Sequence, residues 1–180
     1  MLTLETIRGK VLIFPTQAQL FEKAADLLAE AVSKAVNERG QAAVALAGGE
    51  TPRGLYSLLS REPYVSIVPW ERTLFFWGDE RAVSPDDPQS NYRMAVDALL
   101  SRVPVPRENV FRIRAEAENL DAAASEYEQL LLRVLPHNPN GVPVFNLILL
   151  GMGADGHTAS LFPGSPALKE RSRFVVATCA

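Results

Sequence analysis

Three short apolar runs in this chain each stop at glycine and hand over at once to polar residues. Ala42 to Ala47 leads into Gly48-Gly49-Glu50-Thr51-Pro52, Thr73 to Trp77 into Gly78-Asp79-Glu80-Arg81, and Leu147 to Leu150 into Gly151-Met152-Gly153-Ala154-Asp155-Gly156-His157. Uninterrupted runs of this length, bounded by turn residues, read as strands, and the small, apolar Ala42 to Ala47 as one covered on both faces. Helical patterns separate them. Thr16 and Gln19 have capping-box spacing, and Leu20, Ala24, Leu27, Leu28, Ala31, Val32 and Ala35 form one apolar face that stops at Gly40. Pro52 suits the first turn of a helix through Leu59. Asn91 to Leu100 reads as another helix. A fourth, from about Leu120 to Leu135, rests on Leu120, Ala123, Tyr127, Leu130, Leu131 and Val134. Lys10 to Phe14 reads as a short buried strand before the first helix, and Val110 to Ile113 as a fourth strand. Such alternation predicts a mostly parallel α/β sheet with helices on both faces. Ligands of such sheets bind beyond the carboxyl ends of the strands, so the three loops are expected to converge on one pocket.

Composition narrows the function classes. A chain of 180 residues, 47% hydrophobic and 22% charged, buries a real core as one domain over residues 1–180. A formal charge of −3 supplies no basic field for nucleic acid. The apolar run after Arg8 and Lys10 is too short for an export signal, and the sequence shows no membrane span. Cys179 stands alone, which excludes an internal disulfide and fits a reducing cytoplasm. Pro136 to Pro143 reads as a surface loop that exposes His137. Phe174 to Ala180 is β-like and stops without a turn or capping helix, so the reading expects a chain truncated at its carboxyl end.

Each loop carries candidate chemistry beside a plainer explanation. Gly48, Gly49 and Thr51 sit where a helix start leaves backbone N–H groups free, a ready anion site; a tight strand-to-helix turn needs the same glycines for geometry alone. The loop lacks the lysine of a P-loop. Glu50 would repel a phosphate and must point away if one binds. Arg81 is suited to a two-pronged bond with phosphate or carboxylate, and Asp79 to accepting sugar hydroxyls, although such charge runs are commonly just solvated. Asn91, at a helix start, also fits a simple cap. Histidine as a residue type changes charge near neutral pH, so His157 is suited to taking a proton from water, with Asp155 orienting it or capping a following helix.

Other chemistries fit less well. Gly151, Gly153 and Gly156 have the G-x-G-x-x-G spacing of a dinucleotide fold, but the expected acidic residue about 20 positions on is missing: the run from Phe174 to Ala177 ends in Thr178 and Cys179. No G-x-S-x-G elbow is present, and a serine hydrolase would have to rely on Ser160. Two distant histidines do not make a metal site.

Together, AGGETPRGLY from Ala47, FFWGDERAVSPDDPQSNYRM from Phe75 and NLILLGMGADGHTASLFPG from Asn146 closely resemble the 6-phosphogluconolactonase family, in the family's order. The resemblance implies a doubly wound, Rossmann-like sheet related to the glucosamine-6-phosphate deaminase fold. It implies hydrolysis of 6-phosphogluconolactone in the oxidative pentose phosphate pathway, with no metal or organic cofactor, in a cytoplasmic monomer or weak homo-oligomer. His157 would be the general base and Asp155 its support. Gly48, Gly49 and Thr51 would cradle the phosphate, Arg81 would add positive charge, and Asp79 and Asn91 would shape the sugar pocket. The family commonly has serine at the place of Glu50, and it continues past Ala180 with a further basic residue. The related deaminases place an acidic residue before the Pro-Gly, where this chain has Phe162, and usually an aromatic one where it has Arg81. Both differences favour the lactonase. A sugar-phosphate sensor is a third reading, for which the chain ahead of Val11 is too short to hold a DNA-binding module.

Overall fold

In the computed structural model, which describes residues 1–6 and 9–178, the first helix starts where its cap was expected. Thr16 accepts from the Gln19 amide at 3.3 Å, and α1 (Gln17–Arg39) ends at Gly40 in a left-handed conformation, φ 78°. Its buried stripe is Ala25, Leu28, Ala29, Val32 and Ala35. Leu27, read as part of that face, is 44% exposed, because it lies about 100° around the helix from Leu28.

Ahead of α1, β1 (Leu2–Thr6) and β2 (Gly9–Ile13) form an antiparallel pair, with Leu2 opposite Ile13 and Leu4 opposite Val11. The expected first strand is therefore real but not buried: a ribbon of two strands has no second layer to cover it, and Val11 and Ile13 are exposed.

The main sheet has the order β4-β3-β5, all parallel, from β3 (Ala42–Leu46), β4 (Thr73–Trp77) and β5 (Leu147–Ile148). The chain steps from β3 to β4 on one side and returns to place β5 on the other, so the order reverses at β3. Every residue of β3 and β4 is buried, and their side chains alternate between two cores. Val44, Leu46, Phe75 and Trp77 join α1, α2 (Glu50–Leu59), the short α3 (Tyr64–Ile67) and α4 (Asn91–Ala95) on one face. Ala43, Leu74 and Phe76 join Tyr127 and Leu131 of α5 (Leu120–Val134), and Leu135 just past its end, on the other. Strands covered on both faces, as β3 and β4 are, need such apolar composition, and the parallel sheet with helices on both faces is the α/β architecture the sequence predicts. The run from Leu147 to Leu150 is a strand only over Leu147–Ile148, and Ile148 and Leu150 are exposed, because β5 lies at the edge of the sheet.

Several details differ from the sequence reading. Val110 to Ile113 is no strand: Val110 makes one parallel bridge to Phe75, and the Phe111 carbonyl then accepts from the Tyr127 hydroxyl at 3.3 Å in place of a neighbouring strand. The helix from Asn91 continues past Ala95 as one π-helical turn, Val96–Leu100. Phe174 to Thr178 forms no strand either, because the Phe174 and Val175 amides donate to the Glu128 carboxylate at 2.7 and 3.0 Å. Arg8, Cys179 and Ala180 lie outside the described residues. Among the described residues no helix is long and apolar enough to cross a membrane.

Candidate active site

Two buried tyrosines fix the strand ends from which the loops depart. The Tyr56 hydroxyl accepts from the Ala47 amide at 3.0 Å and donates to the Ala47 carbonyl at 2.9 Å, just past β3. The Tyr127 hydroxyl accepts from the Trp77 amide at 2.9 Å, at the end of β4. Burial pushes both phenols above their ordinary range, so both stay protonated and able to donate at neutral pH. Neither residue carries a sequence signal beyond its place on an apolar helix face.

The first loop turns sharply into α2. Gly49 is the N-cap at φ 103°, a conformation that favours glycine, and no side chain caps the helix. The amides of Glu50 and Thr51 precede the first intrahelical bond, and Pro52 has none to offer, so the helix start faces outward with free donors. The Glu50 carboxylate is 84% exposed and lies 3.6 Å from Arg53 Nε along the helix, the outward placement that an anion site requires.

Gly48 has a different task. A Cβ here would overlap the Asn91 carboxamide, which packs directly against this glycine. Asn91 is 4% exposed and does not cap α4; Ser90 does, accepting from the Arg93 amide at 3.1 Å. The Asn91 side chain instead donates to the Asp79 carbonyl at 3.1 Å and to Asp79 Oδ1 at 3.4 Å. Glu80, which the sequence left without a role, accepts from the Asn91 amide at 2.7 Å and the Tyr92 amide at 2.8 Å. Its negative charge satisfies donors at the start of α4, where the helix dipole favours it. Gly48→Ala is expected to destabilise the fold by about 1–3 kcal/mol through overpacking against Asn91, read as a lower urea midpoint at unchanged slope. A midpoint equal to that of the parent chain contradicts the contact.

The third loop holds the histidine. His157 Nδ1 donates to Asp155 Oδ1 at 2.6 Å, and the His157 amide donates to the same oxygen at 3.2 Å. The ring bond first, and the amide bond second, hold the Asp155 carboxyl below its ordinary range. An ionised carboxylate only accepts, so Nδ1 is the donor in this bond and Nε2 is the ring nitrogen that Asp155 does not engage. The Phe162 ring lies 4.5 Å from the imidazole at 39° and gives it an apolar wall. Gly153 has no room for a Cβ, which would overlap the His157 ring, and Gly156 turns the chain at φ 86°. No helix follows for Asp155 to cap; the chain makes turns and reaches a single 3₁₀ turn at Pro166–Lys169. The glycine spacing therefore serves a loop packed on a histidine and lacks the helix start that a dinucleotide fingerprint needs.

Contacts between side chains join the loops. Asn91 links the first loop to the second, and Ser160 Oγ donates to Asp79 Oδ2 at 2.7 Å, linking the second to the third. Ser160 is thus committed to a carboxylate and makes no bond to His157. Ala159, between Thr158 and Ser160, is held at φ 48°, which costs a non-glycine residue about 1–2 kcal/mol. Gly49, Thr51 and Arg81 stand exposed, and the Thr51 and Arg81 side chains make no hydrogen bond to this cluster among the described residues. A separate groove of about 400 Å³ lies against α5, lined by Arg112, Arg114, Tyr127 and Arg133. It has no histidine, and Arg112 and Arg114 are paired with Glu116 and Glu126, so its chemistry is poorer than that of the strand ends.

Known proteins resemble this chain over nearly all of it. The model of the family described as "Glucosamine-6-phosphate isomerases/6-phosphogluconolactonase" matches residues 15–180. A 6-phosphogluconolactonase of Synechocystis is 44% identical over 156 residues, covering 87% of this chain and 63% of that protein. The solved 6-phosphogluconolactonase of Trypanosoma brucei superposes with a TM-score of 0.78 at 34% identity, over 91% of this chain and 67% of its own. A solved monomeric glucosamine-6-phosphate deaminase gives a TM-score of 0.66 at 27% identity, over 79% of this chain and 55% of its own. The chain thus spans about two thirds of the length of these two lactonases and about half of the deaminase.

Proposed function

We propose a lactonase activity for this chain, which belongs to the glucosamine-6-phosphate isomerase/6-phosphogluconolactonase family. The reaction is hydrolysis of 6-phospho-D-glucono-1,5-lactone to 6-phosphogluconate, within the oxidative pentose phosphate pathway. The observation that carries it is the Asp155–His157 pair, bonded at 2.6 Å on a loop beyond β5 and tied to the loop beyond β4. His157 Nε2 takes a proton from water as the oxygen attacks the lactone carbonyl, and the Asp155 carboxylate stabilises the imidazolium that forms. The ring C–O bond then breaks, and the leaving alkoxide takes up a proton. A lactone is already an activated ester, so general-base help with charge stabilisation suffices and no metal or cofactor is assigned. The free amides at the start of α2, with Thr51, receive the phosphate, and Arg81 supplies positive charge at the rim. Phe162 against His157 favours this reading over the deaminase, because an apolar ring provides no acid for opening a sugar ring.

Freshly generated lactone, with the spontaneous rate subtracted, should be turned over, while glucosamine 6-phosphate should release no ammonia. Ammonia release without lactone hydrolysis overturns the assignment. Arg81→Ala is expected to weaken binding of 6-phosphogluconate about tenfold and of unphosphorylated gluconate by less than twofold, the loss of one charge-assisted bond. Equal losses for both ligands count against a phosphate role.

A further inference from the structure

General-base hydrolysis asks nothing of Ser160, yet its hydroxyl reaches across 81 positions of sequence to Asp79 Oδ2 at 2.7 Å. Apart from the Thr178 hydroxyl, which donates to the Ser160 carbonyl at 3.3 Å from the segment near the carboxyl end, the bonds that shape its own loop are local ones: Gly153 N to His157 O at 2.8 Å, Gly156 N to Gly153 O at 3.0 Å, and Leu161 N to Thr158 O at 2.9 Å. They fold the loop but do not fix it against the sheet. Asp79, by contrast, is anchored in the core of the site, because the side chain that donates to it, Asn91, is buried and wedged against Gly48. Ala159 in its left-handed conformation turns the chain between His157 and Ser160, and a turn held in an unfavourable conformation needs an external tie.

We infer that Ser160 is a positioning residue whose hydroxyl latches the His157 loop onto β4 through Asp79, so that the imidazole keeps one distance from a substrate held at the α2 start. Ser160 touches no reacting atom. Asp79 serves in this device as the anchor, with its oxygens taken up by Ser160 and Asn91. The kinetic consequence rests on the lactonase reading; the structural one does not. Small misplacement of a catalytic group lowers the rate of the chemical step more than it lowers affinity.

The test compares Ser160→Ala, Ser160→Thr, Asp79→Ala and the Asp79→Ala/Ser160→Ala pair on freshly generated 6-phosphogluconolactone. Ser160→Ala should lower kcat about tenfold with KM changed less than about twofold, and Ser160→Thr, which keeps the hydroxyl, should recover most of the loss. The double variant should be no slower than Asp79→Ala, because both changes cut the same tie. In parallel, amide hydrogen exchange at Gly156, His157 and Leu161 should quicken about tenfold in Ser160→Ala. An unchanged kcat, a threonine variant as slow as the alanine one, or fully additive losses would each overturn the latch. If the parent chain hydrolyses no lactone, the proposed function fails by itself and exchange decides: unchanged protection at those amides then sinks the latch, and faster exchange supports it.

Discussion

Replacing His157 by alanine is expected to lower kcat for 6-phosphogluconolactone by about 10²–10⁴-fold, the usual contribution of a positioned general base. Affinity for 6-phosphogluconate should stay within about twofold of the parent, because the phosphate is assigned to amides on a different strand end. The imidazole makes three contacts that the substitution removes: the bond to Asp155, the face of Phe162 and the close approach of Gly153. None of these crosses to the first or second loop, whose tie to the third runs through Ser160. The loop should therefore survive the change. Near-full turnover by the variant, measured above the spontaneous rate, would remove His157 from the chemistry.

Phe76→Ala should have the largest effect on stability, about 3–5 kcal/mol. Phe76 is fully buried in β4, stacked on Phe111 at 4.9 Å and 12°, with Phe145 edge-on at 5.4 Å. Phe145 leads directly toward β5 and the histidine loop, and Phe111 follows the bridge to Phe75, so this ring joins three segments distant in sequence. The other face of the sheet packs around Trp70 and Phe75 and cannot collapse into the vacated space. In a chain of this size each kcal/mol lowers Tm by about 2–4 °C, which makes the change plain in a thermal or urea melt. A loss below about 1 kcal/mol would show that the cluster is not a packed core.

Elements that depend on local chemistry were legible in the sequence. Thr16, Gly40, Pro52 and the apolar runs of β3 and β4 specify their own structure through caps, φ preference and period, and the observed elements start and stop within a residue or two of the expected ones. Features that depend on a partner far along the chain were not. Val110 to Ile113 has strand composition, but Tyr127 takes the carbonyl that a neighbouring strand would need. Asn91 sits where a cap belongs, yet Ser90 does the capping and frees Asn91 to fill the space above Gly48. The site is legible to the same degree. The composition of the His157 loop suggested a base, and its glycines now have separate tasks: close packing at Gly153 and a positive φ at Gly156. The tie between Ser160 and Asp79 leaves no mark in either local pattern, since a serine and an aspartate in two separate loops are ordinary residues until the fold brings them together.

The central claim is that three strand-end loops form one sugar-phosphate site. Titrating the chain with 6-phosphogluconate while following backbone amide shifts tests it directly. The account predicts saturable shifts, with one shared Kd, at Gly48 to Thr51, Gly78 to Arg81 and Gly153 to Ser160. Shifts confined to the groove of Arg112, Arg114 and Arg133, or separate affinities for the three loops, would contradict it.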